Sequence, residues 1–432
     1  MINRNLNTSK NLGILFKRIQ RPGRFGKVLL RYSSAQIVSN FLRMLSGFLV
    51  VGLLDPKSYG QFTGIGIYLG YILLGHGGII NGLSRELPYE LGRGNDRYAR
   101  EMASTVNALT LSISVLAALI FLAFSIGYLC SGEYLIGVIF MAYSVIGGFH
   151  LFNKQFLPAL YRTNKDFDSL SRQNILTGLG NLFTVLLVWG FGLYGLIARG
   201  ITLTLYEFAL LFRNKPYKLN CSFNKTHLKK LFKTGLPIFI VGQINPLWAT
   251  ILNNIIFSSG GALNFGFYSL SNIIQNAIGV IPSSFSQVIY PKMAIMLGEG
   301  KSVSDIIKAN IKPSVFQFGV LTSISVVGVL LLPLIIPYIL PKYVDGIRAA
   351  QWMMFVPVVS SFGSLINIYN VVKKQKWYFI SLVTGSIIGS LFILRQIQQR
   401  GFYLEVFPQG LLIGNALQQV LGLLFISKIK DR

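Results

Sequence analysis

Acid is what this sequence has least of. Asp and Glu number 14 against 40 Lys and Arg, and charged side chains make up 12% of the 432 residues. Soluble domains carry about 25%, so the chain lacks the charge to clothe a water-facing surface of its size. Cysteine is nearly missing as well. Cys130 and Cys221 fall on expected opposite sides of a membrane, which argues against a disulfide framework. The three histidines, His76, His150 and His227, are scattered, and no HExxH, GxSxG or P-loop spacing occurs. Only Glu207 among the acids falls inside an apolar stretch, so no carboxylate pair is expected within the membrane. These absences argue against a metal centre, a catalytic site and hence an enzyme. A cleavable signal peptide is not expected either, because the first apolar segment is too long and lacks a small-residue cleavage site.

Hydrocarbon takes the place of charge. Hydrophobic residues are 52% of the chain and the mean hydropathy is +0.55. The composition indicates an all-α integral membrane protein that crosses the bilayer many times. Twelve apolar segments are predicted, at roughly 33–54, 61–83, 106–129, 134–157, 174–192, 194–212, 234–257, 267–290, 315–340, 349–371, 376–394 and 405–427. The net charge of +26 would suit nucleic acid, but the cations lie in short runs between apolar segments rather than on one soluble face. With both termini in the cytoplasm, 33 of the 40 cations fall in the tails and the loops of that side. Lys57, Lys342, Arg348, Arg395 and Arg400 are left outside, and Arg43 and Arg199 lie within segments. The expected organisation is a basic cytoplasmic segment 1–32, a first lobe 33–212, a basic linker 213–233, a second lobe 234–427 and a short tail 428–432.

An internal repeat links the halves. Tyr59-Gly60-Gln61-Phe62 and Phe265-Gly266-Phe267-Tyr268 match [YF]-G-x-[YF], and Leu91-Gly92-Arg93-Gly94 matches Leu297-Gly298-Glu299-Gly300. Both motifs keep one offset of 206 residues, shared by Lys27 and Lys233. Six helices per half is an even number, so the halves share an orientation and would be related by an axis along the membrane normal, with a cavity between them.

The run GLLDPKSYGQF, from Gly52 to Phe62, follows a first helix with a buried arginine. With twelve segments and a basic central loop, it resembles the polysaccharide transporters, the Wzx-type O-antigen flippases of the MATE-like MOP superfamily. The resemblance implies two six-helix lobes that move undecaprenyl-diphosphate-linked oligosaccharide from the inner to the outer leaflet by alternating access. It implies the bacterial inner membrane, no cofactor, and a proton or sodium gradient or the membrane potential as the drive. Polysaccharide polymerase and chain-length proteins would be partners, as would membrane lipids, and nucleic acid would not. Two competitors differ in class: a MATE-like exporter of cationic drugs, which would want acids in its cavity, and a membrane polysaccharide polymerase or ligase, which would want a large outer loop.

Such a cargo needs cations at depth for its diphosphate and amides or hydroxyls for its sugars. Arg43 sits about ten residues, or about 15 Å, into the first segment, with Gln36 and Asn40 on the same helix face. A guanidinium at that depth costs about 3 kcal/mol or more unless it faces protein or water. Arg43 is therefore expected to line the cavity between the halves; the alternative is a bond to backbone carbonyls, or snorkelling. On the sixth segment Arg199 suits a second anion step and Glu207 a protonation site, unless the one snorkels and the other is held by a nearby cytoplasmic cation. Gln243, Asn253 and Asn254 on the seventh segment, and Asn272, Gln275 and Asn276 on the eighth, suit sugar hydroxyls or plain helix–helix bonding. Pro246 marks an expected kink or hinge, and Trp248 would stack on a sugar or pack. Arg85 would stand at the cytoplasmic mouth, or pair with its neighbour Glu86. His76 would serve a proton relay or simply be satisfied by a partner.

Overall fold

The computed structural model describes residues 24–428 apart from Lys165, Lys218 and Lys373. Most of the expected basic segment 1–32 lies outside the described residues. Among the described residues no strand occurs and every regular element is helical. In chain order the first half contributes α1 (Arg24–Leu53), α2 (Pro56–Gly66), α3 (Tyr68–Ile72), α4 (Ile79–Gly92), α5 (Asp96–Cys130) and α6 (Tyr134–Leu151). It continues with a π turn (Phe152–Phe156), α7 (Leu157–Thr163), α8 (Phe167–Phe183) and α9 (Val185–Arg213). The second half holds α10 (Lys225–Gly298), α11 (Val303–Ile339), four short helices α12 to α15 between Ile347 and Val371, α16 (Gln375–Arg400) and α17 (Val406–Leu424).

Eight stretches are long and apolar enough to cross a membrane by length and composition, and the protein is a multi-pass membrane protein. Most of the difference from the twelve expected segments lies where the chain is broken, and segment 405–427, the unbroken α17 of 19 residues, also falls outside the eight. Segment 61–83 is split at Ile67 and again between Leu73 and Gly78, leaving pieces too short to span. Segments 234–257 and 267–290 are two arms of one helical trace, Lys225–Ser286, whose 62 residues are about three times one crossing. The non-helical residue in that trace is Gly261 (φ 73°), not Pro246. The chain folds back there: Ala249 and Asn272 line one cavity, whereas in a straight rod they would be about 34 Å apart. Gly192 (φ 56°) interrupts α9 in the same way, and the carbonyl of Leu187 packs on Gly195 across the break. The first helix already includes Arg24, the first described residue, nine residues before the expected boundary.

Local sequence explains the turns. After α1, Asp55 caps α2 by accepting from the Ser58 N–H at 2.9 Å, with Pro56 at the first helical position, where no N–H is needed. The two copies of L-G-x-G end their helices identically. Gly94 and Gly300 adopt φ of 79° and 78°, and each donates its N–H at 3.0 Å to the carbonyl of its leucine, Leu91 or Leu297. The duplication read from 206-residue spacing is thus present in the backbone. It is present in packing too: a Cβ on Gly60 would overlap Ala262, and one on Gly266 would overlap Pro56. Reciprocal contact of equivalent residues is what a two-fold relation produces.

Two apolar clusters stay within one half each and mark two bundles, while two others join the halves through Val51, Ile67 and Leu231. One cluster, around Phe62, Phe121, Tyr143 and Val188, uses only residues before Arg213; another, around Ile289, Met293, Ile306 and Tyr369, uses only residues after Lys225. The bundles meet along two seams. On one, α2 to α4 run antiparallel to the first arm of α10 over their full height: Gly64 faces Phe257, Gly70 faces Thr250, Gly78 and Gly82 face Gly235 and Leu231. Lys230 closes it with ion pairs to Glu86 at 3.4 Å and Glu90 at 3.0 Å. Hydrogen bonds from Asn95 and from Lys230 hold the Glu90 carboxyl below its usual value. Along the second seam, α1 against the other arm of α10, Gly47 meets Ile273, and beyond it Gly52 meets Leu340, the residue after α11. Asn276, the 206-residue counterpart of Gly70, is exposed.

The full-height seam leaves no room for side chains at its closest point. Gly235→Val should cost roughly 1–3 kcal/mol through overpacking against Gly78 and Gly82. Gly242→Ala, with nothing within 4 Å of the added carbon, should be neutral. Thermal denaturation of the detergent-purified protein separates the two, and equal melting temperatures would refute the close-packed seam.

Candidate functional site

Two polar cavities flank α2. The first, about 280 Å³, lies inside the first bundle and is lined by Arg43, Phe62, Leu69, Tyr143, Ile146, His150, Asn153, Lys154, Thr177, Asn181, Gly200, Leu203, Thr204 and Glu207. All these residues come from the first half, so Arg43 does face a polar chamber, but within one bundle and not between the two as the repeat suggested. The reason is packing: the α1 face that carries Arg43 is covered by α8, with Ser39 against Gly178 and Gln36 accepting from Asn174 at 2.8 Å. Arg43 is half-buried, its Nε is sealed from solvent without a partner, and it makes no hydrogen bond or ion pair with any described residue.

Lys154 is the second cation here, and it had been counted as a loop residue. It sits in the π turn Phe152–Phe156, where one extra residue re-aims the side chains of that turn. Asn153 anchors the turn by donating to the Thr204 carbonyl at 2.9 Å. Lys154 Nζ meets Glu207 Oε2 at 2.7 Å and Oε1 at 3.0 Å. Glu207 is thus held by a nearby cation, the alternative weighed against a free protonation site. Depth does not single it out, since it lies three residues from the end of segment 134–157, where a lysine reads equally well as a loop cation. Tyr59, Thr63 and Ser269 offered no signal either.

Arg199 neither lines this cavity nor snorkels. It donates to Ser46 Oγ at 2.7 Å and to Asn181 Oδ1 at 3.2 Å, and Ser46 donates in turn to the Asn181 carbonyl at 2.6 Å. The network ties α9 to α1 and α8 behind the cavity wall.

The second cavity, about 410 Å³, lies where the bundles meet. Tyr59, Thr63, Gly66 and Ile67 of the first half face Ala249, Leu252, Asn253, Phe265, Tyr268, Ser269, Asn272, Ile273, Gln275, Asn276 and Leu411 of the second. The fold at Gly261 brings Asn253 together with Asn272, Gln275 and Asn276, as the sugar-binding expectation requires. No charged side chain lines it. At the repeat position of Arg43 stands Ala249, on the wall of this cavity. One half thus presents cations, and the other amides.

The remaining candidates are elsewhere. Gln36 is committed to Asn174, and Asn40 and Gln243 are half-buried but line neither cavity. Asn254 donates to Tyr71 Oη at 3.3 Å across the closed seam, which makes it a helix–helix bond. Trp248 is buried and donates to Ser390 Oγ at 2.9 Å, a packing role. Arg85 is exposed at the basic end, and Glu86 pairs with Lys230 instead of with it. His76 is buried in the broken stretch of the second segment, accepts from the Gly78 N–H at 3.1 Å and packs edge-on against Phe239. Gln155 is the polar side chain that faces the ring, and an amide is no titratable second member for a relay.

A model of a family described as polysaccharide biosynthesis protein matches residues 93–338. No curated protein sequence matches the chain. Among solved structures, the chain is similar to a multidrug resistance MATE family transporter of the MOP superfamily in an inward-facing conformation. The TM-score is 0.68 at 16% identity, over 93% of this chain and 97% of that one. An outward-facing MATE structure of that superfamily gives 0.64 at 16% identity, over 94% and 96%. A MOP superfamily transporter from Pyrococcus furiosus gives 0.61 at 16% identity, over 94% and 96%. The fold is therefore the MATE-like MOP fold.

Arg43 and Arg199 should behave oppositely under truncation. Arg199→Ala removes charge-assisted bonds worth about 1.5–3 kcal/mol and strands Asn181 and Ser46, so the melting temperature should fall. Arg43→Ala breaks no described bond and should leave the melting temperature unchanged or raised. Scanning fluorimetry of both variants checks the contrast; destabilisation by Arg43→Ala alone would contradict the assignment.

Proposed function

The chain belongs to the family of polysaccharide biosynthesis proteins, and on that premise we propose that it is a flippase for lipid-diphosphate-linked oligosaccharide in a bacterial inner membrane. The observation that carries the proposal is the division of labour between the two cavities. Arg43 and Lys154 supply charge for a diphosphate, and the neighbouring Asn253, Asn272, Gln275 and Asn276 supply donors and acceptors for a glycan. α2 is their common wall, contributing Phe62 to one and Tyr59, Thr63 and Gly66 to the other. One cargo molecule with a charged waist and a polar head suits that pairing.

The inequality of the two seams suits the rest of the cargo. A lipid-linked substrate has a tail that stays in hydrocarbon while its head enters the protein. An opening on the α1 side at the basic end, which the charge distribution places in the cytoplasm, would admit the head from the inner leaflet. Rocking of the bundles about the closed seam would then expose the cavities outward.

Export of cationic drugs is the competing reading, and the shared fold with multidrug transporters and the acid Glu207 favour it. Against it, the amide cavity carries no acid, and Glu207 is matched by Lys154 beside an unopposed Arg43. The Pyrococcus furiosus relative is described as having a binding pocket of reverse polarity that suggests a different function. A pocket of changed sign on the same scaffold supports a changed cargo here as well.

Arg43→Ala should abolish surface polysaccharide while membrane abundance stays at the wild-type level, and lipid-linked oligosaccharide should accumulate on the cytoplasmic leaflet. Normal glycan in that variant would overturn the anion-site assignment. Proteoliposomes offered a cationic dye or a lipid-diphosphate sugar should move the second; movement of the dye alone would establish the competing reading.

A further inference from the structure

The three cations of the first bundle differ in how free they are. Arg199 is committed to Ser46 and Asn181, Arg43 is uncommitted, and Lys154 is occupied by an acid that an arriving anion would have to displace. We propose that Glu207 is a built-in counter-anion: it holds Lys154 while the cavity is empty, competes with the cargo's diphosphate for it, and so sets how readily the cargo leaves. The inference rests on the flippase reading and deepens it.

The geometry carries the competition. An ammonium has three N–H donors, and Glu207 takes two of them through Oε2 at 2.7 Å and Oε1 at 3.0 Å. A diphosphate drawn in by Arg43 shares a cavity of about 280 Å³ with that carboxylate. Two anions at one ammonium repel each other, and because Lys154 is 41% exposed, water moderates that repulsion without removing it. The cargo then either meets one remaining donor on Lys154 or expels the carboxylate from it. Both outcomes weaken binding relative to a cavity without the acid.

A carrier needs that weakness. Two unopposed cations on a multiply charged cargo would bind it tightly in a site that must also let go, and passage requires binding weak enough to leave. With Glu207 in place, the carboxylate can return to Lys154 as the diphosphate departs, so neither charge is stranded during release. The alternative is a purely structural pair pinning the π turn to α9. Such a pair would lower stability when broken and leave anion affinity alone.

The full chain in lipid nanodiscs, titrated calorimetrically with inorganic pyrophosphate, distinguishes these. Glu207→Gln keeps the shape of the side chain and should bind pyrophosphate about tenfold tighter than wild type. The double variant with Lys154→Gln should lose that gain. In proteoliposomes Glu207→Gln should show a lower KM together with a lower kcat for the lipid-linked sugar. Melting temperatures confirm that each variant is folded. Equal pyrophosphate affinity in wild type and Glu207→Gln would overturn the counter-anion and leave the flippase reading standing. Failure of every folded form, wild type included, to bind pyrophosphate would overturn both.

Discussion

A cation held among apolar helices must be solvated by the protein that surrounds it, and the interior of the first bundle is arranged around that need. Arg43 and Arg199 come from α1 and α9 and both turn inward, while Lys154 of the π turn reaches the same cavity with 41% of its side chain exposed. Facing hydrocarbon, either arginine would cost a few kcal/mol or more. The polar faces of α1, α8 and α9 therefore have to face one another. Ser46, Asn181, Thr177 and Thr204 are the groups that make those faces compatible, and Tyr143 braces α2 by donating to the Phe62 carbonyl at 2.9 Å.

The second bundle inherits the frame without the charge. Gly94 and Gly300 repeat one turn geometry, and Gly60 and Gly266 meet reciprocally, so the backbone keeps the duplication. Ala249 replaces Arg43, and with it the demand for inward-facing polar partners at that depth disappears. Ala249 lines instead the amide-lined cavity that both bundles share. The seams differ as well: glycines and the Lys230 ion pairs lock one along its height, and among the described residues the other shows no such ion pair.

Much of this was readable from composition and spacing. Acid-poor, apolar segments separated by basic loops pointed to an all-helical membrane protein. A glycine that must take positive φ, as at Gly94, leaves a mark in the sequence because few other residues tolerate it. Arg43 was visible because its isolation in an apolar run is improbable without a polar neighbourhood. Lys154 was harder, because near the end of a segment a lysine reads equally well as a loop cation. Gly261 was harder still, because the glycine at which the trace breaks is one of 44 in the chain.

The amino-acid sequence by itself determined the class, the duplication, and which residues were too polar for lipid. These are local or additive properties, set by each segment's own hydropathy and by fixed offsets. Only the tertiary structure decided partners: that Glu207 answers Lys154, that Arg199 braces a wall, that Arg43 looks into one bundle rather than between two. The fold at Gly261 likewise gathers Asn253 and Asn272 into one chamber. Helix periodicity states which residues share a face, and it says nothing of which other face lies opposite, because that depends on how every bundle member is rotated and tilted at once.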